Sequence, residues 1–332
     1  MRALILHGAG DLRLEDVPDP VAGPGEIVIE VTAALTCATD AKMLSAGAHP
    51  ALGPLPAPLG HEVAGVVRQV GEGVARVRTG DAVVVANSAP CLDCPACRGG
   101  RPNLCRRMTY LTGAFAERLR VPAAIVERNV HPLPAGLPPE LGAAAEPLAC
   151  AVHTVRGCGA LAGGGVQGQF IARLAARAGA RVTLLDPHAD RREMALRNGA
   201  ERSLPVPADD DAVAALGREA GAGLVIEAVG RPAAWRMAVR LAQPGGEVVF
   251  HGGCPAGAEV MLPSGPIHYS ELTLRGAYHH TPEAFAQAVA IIAADPGMIA
   301  ELLHTPIGLA GVAHALSASR GVKHPVMPTA VH

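Results

Sequence analysis

Residues 163–168 read Gly163-Gly164-Gly165-Val166-Gln167-Gly168, a G-x-G-x-x-G pattern, and the chain on either side of them decides the fold. Glycines at these places allow a tight turn and a close approach of backbone to a pyrophosphate. The free N–H groups of a helix starting at Gln167 would then hold the phosphate charge. Helical spacing runs over 167–178. The run Arg181-Val182-Thr183-Leu184-Leu185 is a strand, and it ends at Asp186, 21 residues after Gly165. An acid at that offset would accept the adenosine ribose hydroxyls and repel a 2′-phosphate. In a chain with 39 glycines the motif alone is weak; the strand, helix, strand and acid around it give it weight. One feature departs from the pattern. Only Ala160-Leu161-Ala162 stands between Gly159 and Gly163, so the first strand of the nucleotide fold is expected to be truncated.

Downstream the alternation continues. Residues 190–198 read as a helix stopped by Gly199, 224–226 as a strand, 232–241 as a helix, and 247–250 as a strand. Another strand begins at Leu272. Strands alternating with helices of this length indicate an α/β fold with a doubly wound parallel sheet. Upstream the character is different. Ile27-Val28-Ile29-Glu30-Val31 and Val63-Ala64-Gly65-Val66-Val67 are β-rich runs bounded by Gly and Pro. Residues 1–150 therefore read as an all-β module with few helices, one of them a short helix over 38–46 capped by Thr39 or Asp40. A helix over 283–294 and a mixed tail follow the parallel part. The boundaries fall near 153 and 279, with the tail expected to fold back onto the first module.

Composition narrows the function classes. The 332 residues suggest about two domains. They are 49% hydrophobic and 17% charged, as in a globular chain, with only 2% aromatics. A formal net charge of −2 gives no reason to expect nucleic acid or an anionic membrane. There is no apolar run long enough for a membrane helix and no secretory signal pattern, and the eight cysteines do not make a disulfide scaffold. A cytoplasmic protein is expected. Lys42 and Lys323 are the only lysines, against many arginines, so local Arg clusters reflect compositional bias.

Four cysteines, Cys91, Cys94, Cys97 and Cys105, have the spacing C-x2-C-x2-C-x7-C. Four thiolates close a tetrahedral shell, the signature of structural zinc. An iron–sulfur cluster and a nucleic-acid-binding zinc ribbon are the alternatives for this lobe. Elsewhere Cys37, His61 and Glu146 are read as three ligands of one catalytic zinc with an open fourth position. Their wide separation means that these three residues alone do not establish a site.

With these pieces in place the chain resembles the zinc-dependent medium-chain alcohol dehydrogenases, most closely the sorbitol, polyol and threonine dehydrogenase branch. The resemblance rests on 36–42, 60–67, 91–105, 113–117, 146–153, 163–168, Asp186, 226–231, 244–246 and 271–278. It implies a GroES-like β domain (1–153 and 279–332, with the zinc lobe at 91–105) interrupted by a Rossmann domain (154–278), with the active site in the cleft. By position, Cys37, His61 and Glu146 match the catalytic zinc ligands, with Cys150 a minor alternative. Glu62 matches a residue behind the metal that binds it directly or through water. Asp40 matches the carboxylate that orients the imidazole. Thr39 matches the hydroxyl that takes the substrate proton, and Lys42 the end of the proton relay. Gly163, Gly165, Val166, Gln167, Gly168, Asp186, Arg191, Val229 and Arg231 match the cofactor site. The implied activity is hydride transfer between a secondary alcohol or polyol and NAD, in a homodimer or homotetramer. Two other readings stay open: a zinc-free reductase on the same fold, and a zinc-bearing scaffold protein that has lost affinity for the dinucleotide.

Overall fold

The computed structural model describes residues 1–155, 163–318 and 323–329. It divides into two units, Met1–Ala149 with His280–His332, and Cys150–His279. The short strand expected at 160–162 lies outside the described residues.

The first unit is built on an antiparallel sheet in the order Val130–Pro132, Ala82–Val85, Val63–Val70, Ile27–Leu35, Pro325–Val326. The strand Arg118–Val121 pairs with the first half of Ile27–Leu35, and Pro325–Val326 pairs with its end. The tail thus adds a strand to the first unit. Ile27–Leu35 is buried along nearly its whole length, which explains why it is a β-branched apolar run. It bulges twice against Val63–Val70, at Val28/Ile29 and Val31/Ala33, which bends the sheet. A smaller sheet, Asp11–Asp16, Arg2–Gly8 and Ala57–Pro58, adds Leu4 and Leu6 to the same core. Phe115, Leu6, Ile29, Leu59 and Ile125 are completely buried there. Each such side chain contributes about 1.5–3 kcal/mol by leaving water.

This unit has more helix than its β-rich runs imply. Pro139–Ala143 and Ala145–Val155 pass through the stretch Gly142-Ala143-Ala144-Ala145, which is buried on every side. Small apolar residues on every side of this junction give it no amphipathic period, so the pattern that normally reports a helix is missing there.

The second unit contains parallel strands in two groups. Ala222–Glu227, Ala242–Phe250 and Thr273–Gly276 form one, and Thr183–Leu185 with Arg202–Leu204 the other. Gly163 makes a single parallel bridge to Leu185. Helices Val166–Arg177, Ala189–Arg197, Asp210–Ala220 and Pro232–Leu241 alternate with these strands. Asp209 caps the third of them, accepting the Ala212 N–H at 2.8 Å. The core of the unit gathers Leu185, Val225, Val239, Leu241, Val248 and Phe250.

Candidate metal centres and cofactor site

The strand Ile27–Leu35 delivers Thr36 and Cys37 to the start of the helix Ala38–Ala46. The cap is Cys37, not Thr39 or Asp40. Cys37 has extended backbone (φ −131°, ψ 150°), and its thiol accepts the Thr39 N–H at 3.5 Å. Asp40 completes the box by accepting the Cys37 N–H at 3.1 Å through Oδ2. The helix start thus fixes the sulfur and a buried carboxylate together. Asp40 Oδ1 lies 2.9 Å from His61 Nδ1. A carboxylate only accepts, so Nδ1 carries a proton and Nε2 is the ring nitrogen available to a metal, which would displace any proton there.

His61 is aimed by Gly60, which has φ 93°. A Cβ there would sit 2.7 Å from the Phe115 backbone nitrogen, so both conformation and space demand glycine. Glu62 follows, fully buried. The ligand atoms of Cys37, His61 and Glu62 lie within 4.8 Å of one another.

Lys323 is the residue that sequence reasoning left unassigned. It is buried beside the tail strand, and its ammonium donates to Glu62 Oε1 at 2.6 Å, Glu62 Oε2 at 2.7 Å and the Thr36 carbonyl at 3.1 Å. Its rarity in a chain with two lysines was the one available signal. Burial alone would push the Glu62 carboxyl up and the Lys323 ammonium down. The bidentate contact favours the ion pair, and Glu62 with Cys37 holds Lys323 charged. Burial also opposes ionisation of Cys37, but Lys323 and His61 overcome it and bring the thiol down to about 6. Burial works against a charged His61, and Asp40 outweighs it, raising that imidazole well above its ordinary range.

Glu146 is not in the Cys37–His61–Glu62 group. It lies in the first turn of Ala145–Val155, where the helix dipole favours a carboxylate. Its Oε1 accepts from Asn87 Nδ2 at 2.9 Å and is 3.9 Å from His280 Nε2. Its charge is nonetheless felt by Glu62 and Lys323. Thr39 is half-buried, Lys42 is exposed, and Cys150 is absent from the metal-competent groups among the described residues.

These donors fit zinc. A thiol biased towards thiolate, an imidazole with its second nitrogen pinned, and carboxylates are its usual ligands. Cys37, Glu62 and Glu146 all act on the one buried ammonium of Lys323, and a dication would offset the negative charge left over.

Cys91, Cys94, Cys97 and Cys105 form the second group. Sulfur–sulfur distances of 3.4, 3.5 and 3.9 Å approach the ~3.8 Å edge of a tetrahedral zinc–thiolate shell. Cys94 caps Pro95–Arg98, and the 3-10 turn Pro102–Leu104 ends at Cys105, so two short turns set the spacing. Backbone N–H groups of Asp93 and Cys94 aim at the Cys91 sulfur and lower it to about 6. Burial and neighbouring thiols raise Cys97 to about 12. Four sulfurs this close cannot all ionise without a cation between them.

In the second unit Gly165 caps Val166–Arg177, and Val166 and Gln167 begin it. A Cβ on Gly168 would fall 1.2 Å from the Gly163 carbonyl oxygen, so the first helical turn sits directly on the loop. Val229 packs on Gly163, and a small cavity of about 60 Å³ is lined by Gly163, Asp186, Ile226, Val229 and Met237. Asp186 is buried. It accepts the Gly164 N–H through Oδ2 and the His188 N–H through Oδ1, both at 2.9 Å, with Arg191 Nη1 3.5 Å from Oδ2. Asp186 therefore both caps its own turn and ties down the glycine loop. Arg231 is exposed at the start of Pro232–Leu241.

The fold and the donor sets define a zinc-binding, nicotinamide-dependent oxidoreductase. Residues 23–135 match the alcohol dehydrogenase GroES-like domain, and residues 167–294 match the zinc-binding dehydrogenase domain. L-galactonate-5-dehydrogenase of Escherichia coli K12 is 31% identical over 88% of this chain and 87% of its own. L-threonine 3-dehydrogenase of Bacillus licheniformis is 34% identical over 75% of each chain. A Sinorhizobium meliloti 1021 chain solved with NADP bound is 32% identical, with a TM-score of 0.87 over 98% of this chain and 99% of that one. The protein belongs to the zinc-dependent medium-chain dehydrogenase family, in the branch of the threonine and polyol dehydrogenases. Neither the zinc-free reductase nor the scaffold reading is favoured by this membership.

Proposed function

We propose that the protein oxidises a secondary alcohol or polyol, or reduces the matching ketone, with NAD as hydride carrier. The observation that carries this is the buried group Cys37, His61 and Glu62, with Asp40 fixing the imidazole tautomer. Cys37 and His61, with Glu62 or Glu146, would hold the catalytic zinc. Zinc bound there would acidify a substrate hydroxyl, as it lowers the pKa of bound water to about 7. Thr39, half-buried beside Cys37, receives the hydroxyl proton and passes it outward in the direction of Lys42. Asp40 keeps His61 oriented while charge develops, and Lys323 keeps Glu62 ionised. Gly163, Gly165 and Gly168 bring the start of Val166–Arg177 to the pyrophosphate, with Val166 and Gln167 on the first turn. Asp186, Arg191, Val229 and Arg231 receive the adenosine half. The four-cysteine lobe holds a second, structural zinc.

The catalytic domain is assigned to 1–153 with 279–332, and the dinucleotide domain to 154–278. The enzyme is assigned to the cytoplasm and works as a homodimer or homotetramer; a monomer by light scattering at micromolar concentration would refute the assembly. Names of relatives point to L-threonine, sugar acids and polyols as first substrates. The test is a panel of these, with simple secondary alcohols, assayed with NAD and NADP in wild type and Asp186→Ser. Preference for NAD that falls in the variant is expected. Equal use of the two cofactors by wild type would overturn the role of Asp186. No turnover of any alcohol by zinc-replete protein would overturn the activity.

A further inference from the structure

We propose that Asn87, anchored by His280, is the positioning residue for Glu146. This rests on the reading that Glu146 serves the catalytic metal. Three segments far apart in sequence meet here. Asn87 lies between the strands Ala82–Val85 and Ser88–Ala89, its carbonyl held by the Leu111 N–H at 2.8 Å. Glu146 is in the first turn of Ala145–Val155. His280 directly precedes Thr281, which caps Pro282–Ala294 by accepting the Ala284 N–H. Its ring leans on Phe285 with centroids 5.7 Å apart.

The direction of every hydrogen bond follows from what each group can do. The Glu146 carboxylate only accepts, so Asn87 must turn its amide NH2 to Oε1, at 2.9 Å. Asn87 Oδ1 is then the acceptor at its other end. His280 Nε2, 2.9 Å away, must be the donor and carry the proton. The relay has one consistent polarity, from His280 through Asn87 to Glu146. His280 is 2% exposed and Glu146 6%. Polar groups buried to this degree are destabilising unless paired, so the chain of bonds holds all three in place. With Oε1 tied to Asn87 the carboxylate is confined to one orientation, as carboxylates that serve metals commonly are. The proton on His280 Nε2 also assigns that nitrogen to donation and not to the metal.

The experiment measures zinc per chain against a graded series of buffered zinc concentrations, beside the melting temperature of the metal-stripped proteins. Wild type is expected to hold two zincs. Asn87→Leu and Asn87→Asp should lose one of them at free zinc 10–100-fold higher than wild type does, the range for partners that orient a ligand. His280→Leu should weaken retention in the same sense, and His280→Gln, which still offers an N–H to Asn87, should restore it. Metal-stripped His280→Gln and wild type melting together would show that the fold is intact. Wild-type retention in both Asn87 variants overturns the proposal. So does loss of zinc in His280→Gln equal to that in His280→Leu, since His280 would then act as a ligand. Glu146→Gln separates the two levels. If it releases no zinc, the role of Glu146 itself is wrong. If it releases zinc while the Asn87 variants do not, only the positioning role fails.

Discussion

At the scale of single residues, each donor of the proposed metal centre is placed by an ordinary structural device. Cys37 is a helix cap, His61 follows a glycine that only glycine can occupy, and Glu62 is held by Lys323. Removing the sulfur should therefore remove the metal without removing the fold. Cys37→Ser is expected to bring zinc from two to one per chain and to abolish turnover while the circular dichroism spectrum is unchanged. Cys94→Ser should instead lower the melting temperature, because Cys94 is the one buried residue of the lobe at 91–105.

A second residue-scale prediction concerns His251, at the end of Ala242–Phe250. Its Nδ1 is 2.8 Å from Thr154 Oγ1, which also lies 2.8 Å from the Cys150 carbonyl. The carbonyl can only accept, so it takes the Thr154 hydrogen, and His251 donates from Nδ1. Burial, helped by His153, lowers His251 from 6.5 to about 4. The folded state then binds fewer protons than the unfolded chain between those two values. Stability should be unaffected above pH 6.5 and fall as pH drops towards 4. The loss between pH 7 and pH 5 is about 2 kcal/mol. Urea midpoints at the two pH values measure it, and His251→Gln should flatten the difference.

At the scale of elements, the glycine loop and the helix it opens are one object. The contact between Gly168 and the Gly163 carbonyl leaves no room for a methyl group, whereas nothing lies within 4 Å of a Cβ at Gly165. Gly168→Ala should displace the helix start and weaken NADH binding at least tenfold. Trp235, the only tryptophan, stacks on Phe250 at 4.0 Å in the same unit and is a fluorescence reporter for the titration. Binding unchanged in Gly168→Ala would show that the loop does not hold the cofactor. The helix Pro232–Leu241 was legible to the residue, because Pro at its first position and a clean amphipathic period mark it. Asp210–Ala220 was not picked out, although Asp209 caps it and Gly221 ends it, because Asp209-Asp210-Asp211 resembles a loop.

At the scale of the whole molecule, each unit has its own core. The first is built on a six-stranded sheet with smaller sheets beside it and completely buried Phe115, Ile27 and Ile29. Among the described residues, the second holds its parallel strands in two groups. We expect two transitions in scanning calorimetry, one for each unit. NADH should raise only that of the dinucleotide unit, since a ligand stabilises the state that binds it by mass action. A single transition, or a shift of both by NADH, would show that the units unfold together.

The sequence by itself determined the alternation of strand and helix around Gly163–Gly168 and the four-cysteine lobe, whereas Cys37, His61 and Asp40 were joined into one site only by the family resemblance. The alternation and the lobe are local: glycine and proline punctuation, period, and ligand spacing act within a few residues of chain. Tertiary structure alone decided which distant groups meet. It put Lys323 on Glu62 across 261 residues, Asn87 and His280 on Glu146, and Asp186 on the Gly164 amide. Hydrogen bonds and ion pairs between separate segments depend on how sheets register and helices dock. A lone Lys, Asn or His carries no local mark of the partner it will find once it is buried.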